Sequence, residues 1–217
     1  MTLAGAGVRF TGRAEGDMRP GAGPGGAALA TLAGRPVSWL RQVHGDRVVV
    51  VEDTQRVEGD AGDALVTASP DTVLAVLTAD CAPVALGSPE GVVAAVHAGW
   101  AGLLAGVVDR AVDAMGRLGA SRVEAVVGPC IHAECYEFGL ADLQRLAAAL
   151  GPSVRSTTAG GAPALDLTAA VGAALRRAGA SLAGCSTACT ACEADLLFSH
   201  RARRDEGRQA MLVWARS

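Results

Sequence analysis

The sequence predicts an α+β fold, a single domain built around a mixed central sheet. Three observations carry this expectation. Short apolar runs bounded by Gly, Pro and Asp recur between residues 48 and 97. From Gly102 onward the apolar residues fall instead at steps of three and four, the helical period. A last run, Met211-Leu212-Val213-Trp214, returns to strand character and closes the sheet. At 217 residues the chain can bury one large core. Half of its residues are hydrophobic but only 3% are aromatic, so that core is made of Ala, Val and Leu.

The elements follow in order. Residues 1–35 are expected to hold an N-terminal strand and then a loop, rich in Gly and Pro from Pro20 to Gly26. Residues 36–217 carry the rest of the one structural domain. Val48 to Val51 and Asp63 to Thr67 read as short strands. Thr72 to Thr78 is almost continuously apolar, the signature of a strand buried on both faces. Val84 to Gly87 and Val92 to His97 form a hairpin about the turn Ser88-Pro89-Glu90-Gly91. A helix is predicted from Gly102 to Leu118, with Leu103, Val107, Val108, Ala111 and Met115 on its apolar face. Its first amides would face the end of the preceding strand, a natural place for an anion. Val123 to Gly128 is another strand, and residues 140–150 and 166–178 are helices, the second capped by Asp166.

Composition narrows the function. Nineteen basic residues against 22 acidic ones give a net charge of −3, which supplies no basic field for nucleic acid. The arginines at 201, 203, 204, 208 and 216 are the local exception. No apolar run approaches the ~20 residues that span a bilayer. The start of the chain lacks the basic and apolar stretches of a secretory leader, so a cytoplasmic location is expected and the six cysteines read as thiols. The oligomeric state is left open, and a monomer fits.

Four constellations can carry chemistry. His44, Cys81 and His97 each stand at the end of an apolar run, separated by 37 residues (44 to 81) and 16 residues (81 to 97). Three such ligands with a fourth position open suit a catalytic zinc. The same residues also suit a Cys–His nucleophilic pair, or two incidental histidines beside a core thiol. Asp80, next to Cys81, is a candidate acid–base or orienting group. Cys130-Ile131-His132-Ala133-Glu134-Cys135 has ligand types but reads better as a packed loop. Cys185, Cys189 and Cys192 lack a fourth ligand within their segment and read as structural thiols. The arginines from Arg201 to Arg208 can hold phosphate through bidentate hydrogen bonds or form a solvated turn.

At these residues the chain resembles a known family. Gln42-Val43-His44-Gly45, Thr78-Ala79-Asp80-Cys81-Ala82-Pro83-Val84, His97-Ala98-Gly99-Trp100, Gly128-Pro129-Cys130-Ile131 with Tyr136-Glu137, and Phe198-Ser199-His200-Arg201 with Gly207-Arg208-Gln209-Ala210 occur in the family's order. The family is the bacterial laccase-domain proteins, also called multicopper polyphenol oxidases or purine nucleoside phosphorylases, with some members described as peptidoglycan-editing factors. The likeness spans about residues 36–216. It implies an α/β/β sandwich of the cysteine-hydrolase-like type and a zinc held by His44, Cys81 and His97. It further implies phosphorolysis of adenosine, inosine and methylthioadenosine and deamination of adenosine. On this reading purine nucleosides and phosphate are the partners, Asp80 and Cys81 are catalytic, and Gln42, Arg201 and Arg208 bind substrate or phosphate. Copper at the same triple is the alternative, making a laccase-like polyphenol oxidase, although four histidines cannot furnish a multicopper set. A Cys–His amide hydrolase editing peptidoglycan precursors is the other. Two departures stand out: Ala101 occupies the position where the family usually has Arg, and the family's N-terminal stretches are reduced to Phe10-Thr11-Gly12-Arg13 and the Gly/Pro loop.

Overall fold

Three groups of buried side chains define the layers. In this computed structural model, residues 3–21, 29, 33–52 and 56–216 are described. Most of the Gly/Pro-rich loop, including Pro24 to Gly26, lies outside them. The five-stranded sheet has the order β1 (Ala6–Phe10), β13 (Gln209–Ala215), β6 (Val73–Thr78), β2 (Val37–Arg41) and β4 (Glu58–Ala61). The six-stranded sheet has the order β12 (Ser181–Cys185), β9 (Glu124–Val127), β7 (Ala82–Gly87), β8 (Val93–Ala98), β5 (Ala64–Thr67) and β3 (Val48–Val50). Both sheets mix parallel and antiparallel pairs. The central sheet expected from the sequence is thus a pair of stacked sheets, the β/β part of the sandwich.

Because side chains alternate across a strand, each strand feeds two cores. Leu74, Val76, Met211 and Val213 of one sheet meet Leu65, Ala85, Val93 and Ala95 of the other. Val84, Leu86, Ala94 and Val96 point the opposite way, into the helical layer. That layer comprises α1 (Trp100–Ala105), α2 (Val107–Arg117), α3 (Leu140–Leu150) and α4 (Leu167–Arg177). The outer face of the five-stranded sheet, with Val73, Ala75 and Leu212, is covered by Met18 and Leu29.

The helix predicted from 102 to 118 is two helices. It starts at Trp100 and breaks at Gly106, whose φ of 94° ends α1 and starts α2. The apolar spacing carries on through the break, so periodicity alone did not reveal it. With only six residues, α1 has little macrodipole to offer an anion. Helices α3 and α4 match their expected spans, and the Asp166 carboxylate caps α4 by accepting from the Ala169 N–H at 2.8 Å. Strand β1 pairs along its whole length with β13, joining the start of the chain to its end. No helix among the described residues is long and apolar enough to cross a membrane.

Candidate metal centre and its pocket

Three chain crossings between the two sheets build the site. The chain passes from the five- to the six-stranded sheet between β2 and β3, between β4 and β5, and between β6 and β7. These crossings contribute His44, Asp63 and Cys81. His97, near the end of β8, completes the group. The ligating atoms of His44, Cys81 and His97 all lie within 4.8 Å of one another, with Cys81 Sγ 3.8 Å from His44 Nε2. The backbone is bent to allow this. His44 and Asp80 have φ of 59° and 97°, two of the three positive values at non-glycine residues among the described residues. Such conformations cost energy and cluster at functional sites.

Asp63 is the organising residue, and the sequence reading missed it. Its buried carboxylate accepts from the N–H groups of Val43 (3.2 Å), His44 (2.9 Å) and Gly45 (2.8 Å) and meets His97 Nδ1 at 2.9 Å. One acidic side chain therefore fixes the His44 turn and the His97 ring together. The bond to Nδ1 leaves Nε2 of His97 as the ligating atom, the carboxylate–histidine arrangement that orients metal ligands. The electrostatics match. Burial alone would push the Cys81 thiol up, but the neighbouring His97 and hydrogen bonding from His44 bring it down to about 6. Burial works against charge on His97 too, yet the Cys81 thiolate and Asp63 raise it to about 9.

The donor set fits a zinc ion. Tetrahedral zinc bonded at ~2.0–2.3 Å separates its ligand atoms by roughly 3.3–3.6 Å, close to the separation of Cys81 and His44. Gly99 keeps that space clear. A Cβ there would lie 2.9 Å from His44 Cδ2 and 3.1 Å from Cys81 Sγ.

The triple opens into a cavity of about 800 Å³ that is also lined by Gln42, Asp80, Arg201 and Arg208. Every site residue expected from the sequence therefore reaches one cavity. Several already have fixed duties. The Gln42 side chain bridges to the backbone of Leu77, donating to its carbonyl at 2.7 Å and accepting from its N–H at 2.8 Å. Asp80 accepts from Thr190 Oγ1 (2.7 Å), Ser199 Oγ (2.6 Å) and the Arg201 N–H (2.6 Å), which latches the C-terminal arm over the site. The Arg201 guanidinium sits 4.8 Å from the centre of the Tyr136 ring and donates to the Glu137 carbonyl. Arg208 Nη1 donates to the carbonyls of Asp205, Glu206 and Gly207. Sequence reasoning also missed Arg19, Trp39, Arg41 and His200 in the lining. Trp39 and Arg41 belong to β2 and His200 to the Phe198–Arg201 motif, but nothing local marks them or Arg19 as lining a cavity.

Comparison with known proteins decides the kinship. Residues 26–216 match the family model described as multi-copper polyphenol oxidoreductase laccase. The chain belongs to this family. A purine nucleoside phosphorylase of Mycobacterium tuberculosis is 44% identical over 191 residues, covering 87% of this chain and 76% of that protein. One of Streptomyces coelicolor is 45% identical over 185 residues, covering 82% and 74%. Among solved structures, a Neisseria meningitidis protein of the DUF152 family superposes with a TM-score of 0.86 at 27% identity, covering 100% of this chain and 96% of that one. The laccase family's α+β fold is therefore present from the first strand to the last.

Proposed function

We propose that this laccase-family chain is a zinc-dependent purine nucleoside enzyme that cleaves adenosine, inosine and methylthioadenosine with phosphate and also deaminates adenosine. One observation carries the reading: His44, Cys81 and His97 lie at the floor of a cavity ringed by arginines and aromatic rings, in a relative of proteins named purine nucleoside phosphorylase. The volume falls within the ~300–1,000 Å³ of small-molecule sites. His44, Cys81 and His97 would hold the metal, and zinc at such a site supplies a Lewis acid that eases deprotonation of water.

The other roles fall to the chain. The Trp39, Trp100 and Tyr136 rings give flat surfaces for a purine. Arg19, Arg41, Arg201 and Arg208 place positive charge where a phosphate would enter, which takes over the part first expected of helix amides and of the Arg that Ala101 replaces. In phosphorolysis a phosphate oxygen bonds to the anomeric carbon as the bond to the base nitrogen breaks, and the base leaves protonated. Asp80, already accepting three hydrogen bonds, acts as a positioning residue for Cys81 and Arg201. The substitution Cys81→Ser should remove one equivalent of zinc and lower turnover by more than about 100-fold. Unchanged zinc content in that variant contradicts the reading.

A second reading has its own observation. Cys81, His97 and Asp63 form a thiol–imidazole–carboxylate series suited to nucleophilic amide hydrolysis. Activity that survives chelation and is abolished by thiol alkylation would select it.

A further inference from the structure

Two cysteine segments that looked incomplete in the sequence meet in space. Cys135 ends the 3-10 turn Ala133–Cys135 after β9, and Cys189 and Cys192 lie in the loop between β12 and the short helix His200–Arg203. The ligating atoms of Glu134, Cys135, Cys189 and Cys192 all lie within 4.8 Å of one another. Cys135 Sγ is 3.4 Å from Cys192 Sγ, and the His132 N–H points to Cys189 Sγ at 3.4 Å. The turn, more than fifty residues before Cys189, supplies two ligand groups to Cys189 and Cys192, and Cys185 stands outside the cluster.

We propose that Cys135, Cys189, Cys192 and Glu134 form a second, structural zinc site distinct from the His44–Cys81–His97 centre. Three sulfurs and one carboxylate make a closed tetrahedral set of the structural kind. The 3.4 Å between the Cys135 and Cys192 sulfurs and the 4.8 Å upper bound on the other separations bracket the roughly 3.8 Å between sulfurs on one zinc. A divalent ion bound there would displace the three thiol protons to solvent. The bound site would keep net negative charge, and the Arg203 guanidinium lies against this loop, donating to the carbonyls of Thr190 (3.0 Å) and Ala191 (2.9 Å) between the two cysteines.

The location gives the metal a task. Thr190, next to Cys189, donates to Asp80, which in turn holds Ser199 and Arg201 over the cavity. Zinc between the turn at 134–135 and the loop at 189–192 would brace that latch. The site does not depend on the nucleoside reading, because it neither touches the cavity nor needs a substrate.

The test isolates the site by first disabling the other one. Cys81→Ser protein, isolated under reducing conditions, is stripped of metal and titrated with cobalt. The expected result is one tightly bound equivalent with sulfur-to-cobalt charge-transfer absorption, displaced by zinc and lost when Cys192→Ser is added. Native mass spectrometry of the unaltered protein covers the case in which a variant fails to fold, and two zinc ions per chain are expected. No cobalt bound by the Cys81→Ser protein, a single zinc per chain that survives Cys192→Ser, or a Cys135–Cys192 disulfide in protein isolated under reducing conditions overturns the proposal.

Discussion

At the scale of single residues, the site depends on one carboxylate as much as on its ligands. Asp63 accepts three backbone N–H bonds from the 43–45 turn and fixes His97. Asp63→Asn retains the shape but places an amide among these donors. Metal affinity at the main centre should fall by about 10–100-fold and stability by about 2 kcal/mol, as measured by zinc competition and thermal unfolding. Unaltered affinity would mean that Asp63 serves only the turn. His44, Cys81 and His97 were legible in the sequence because each sits within two residues of glycine or acid at the end of an apolar run. Asp63 was not, because an acid at the start of a predicted strand carries no local sign of the buried partners the fold gives it. The meeting of Cys135 with Cys189 and Cys192 was hidden for a related reason, since neither segment alone holds a complete ligand set.

At the scale of elements, most buried apolar segments were read correctly, the helix broken at Gly106 excepted, and several short exposed ones were missed. Helices α3 and α4 and strands β6 to β9 bury continuous apolar faces, so their pattern sufficed. Strand β12 is largely exposed and pairs on one side only, while β10 (Arg155–Thr157) and β11 (Pro163–Leu165) are three residues each. Such strands owe their form to a partner rather than to their own alternation. The break between α1 and α2 rests on Gly106 at φ 94°. A side chain there forces a left-handed conformation, and Gly106→Ala should cost about 1–2 kcal/mol. Chemical denaturation checks this, and an equal or higher stability would show that the two helices can merge. Because α1 begins at the residue after Gly99, turnover should drop in the same variant through displacement of the centre.

At the scale of the whole molecule, the two ends of the chain are fastened together around the cavity. Strand β1 lies along β13, the Met18 N–H donates to the Arg208 carbonyl, and Asp205 binds Arg13, Arg203 and the Ser199 N–H. The segment that looked like a bare loop therefore helps to set the arm carrying Arg201 and Arg208. Partial burial would raise the Asp205 carboxyl, but the Ser199 N–H and the Arg13 guanidinium outweigh it and hold the group below its ordinary value of 3.8. A depressed carboxylate contributes stability above its unfolded value and loses it as the pH falls further. The advantage in Tm of the unaltered protein over Asp205→Asn should thus be constant from pH 5 to 7 and shrink below 3.8. A difference that grows with acid would contradict this linkage.

The layered architecture was legible from alternation and helical period, whereas the split into two sheets was not, because crossings between sheets leave no periodic trace. Those crossings place His44, Asp63 and Cys81 together, at the centre proposed for zinc-assisted chemistry on purine nucleosides. Its most direct test is product analysis of zinc-loaded protein given adenosine with and without phosphate. Adenine and ribose 1-phosphate are expected when phosphate is present, and inosine when it is absent. No product under either condition, from protein carrying zinc on His44, Cys81 and His97, would contradict it.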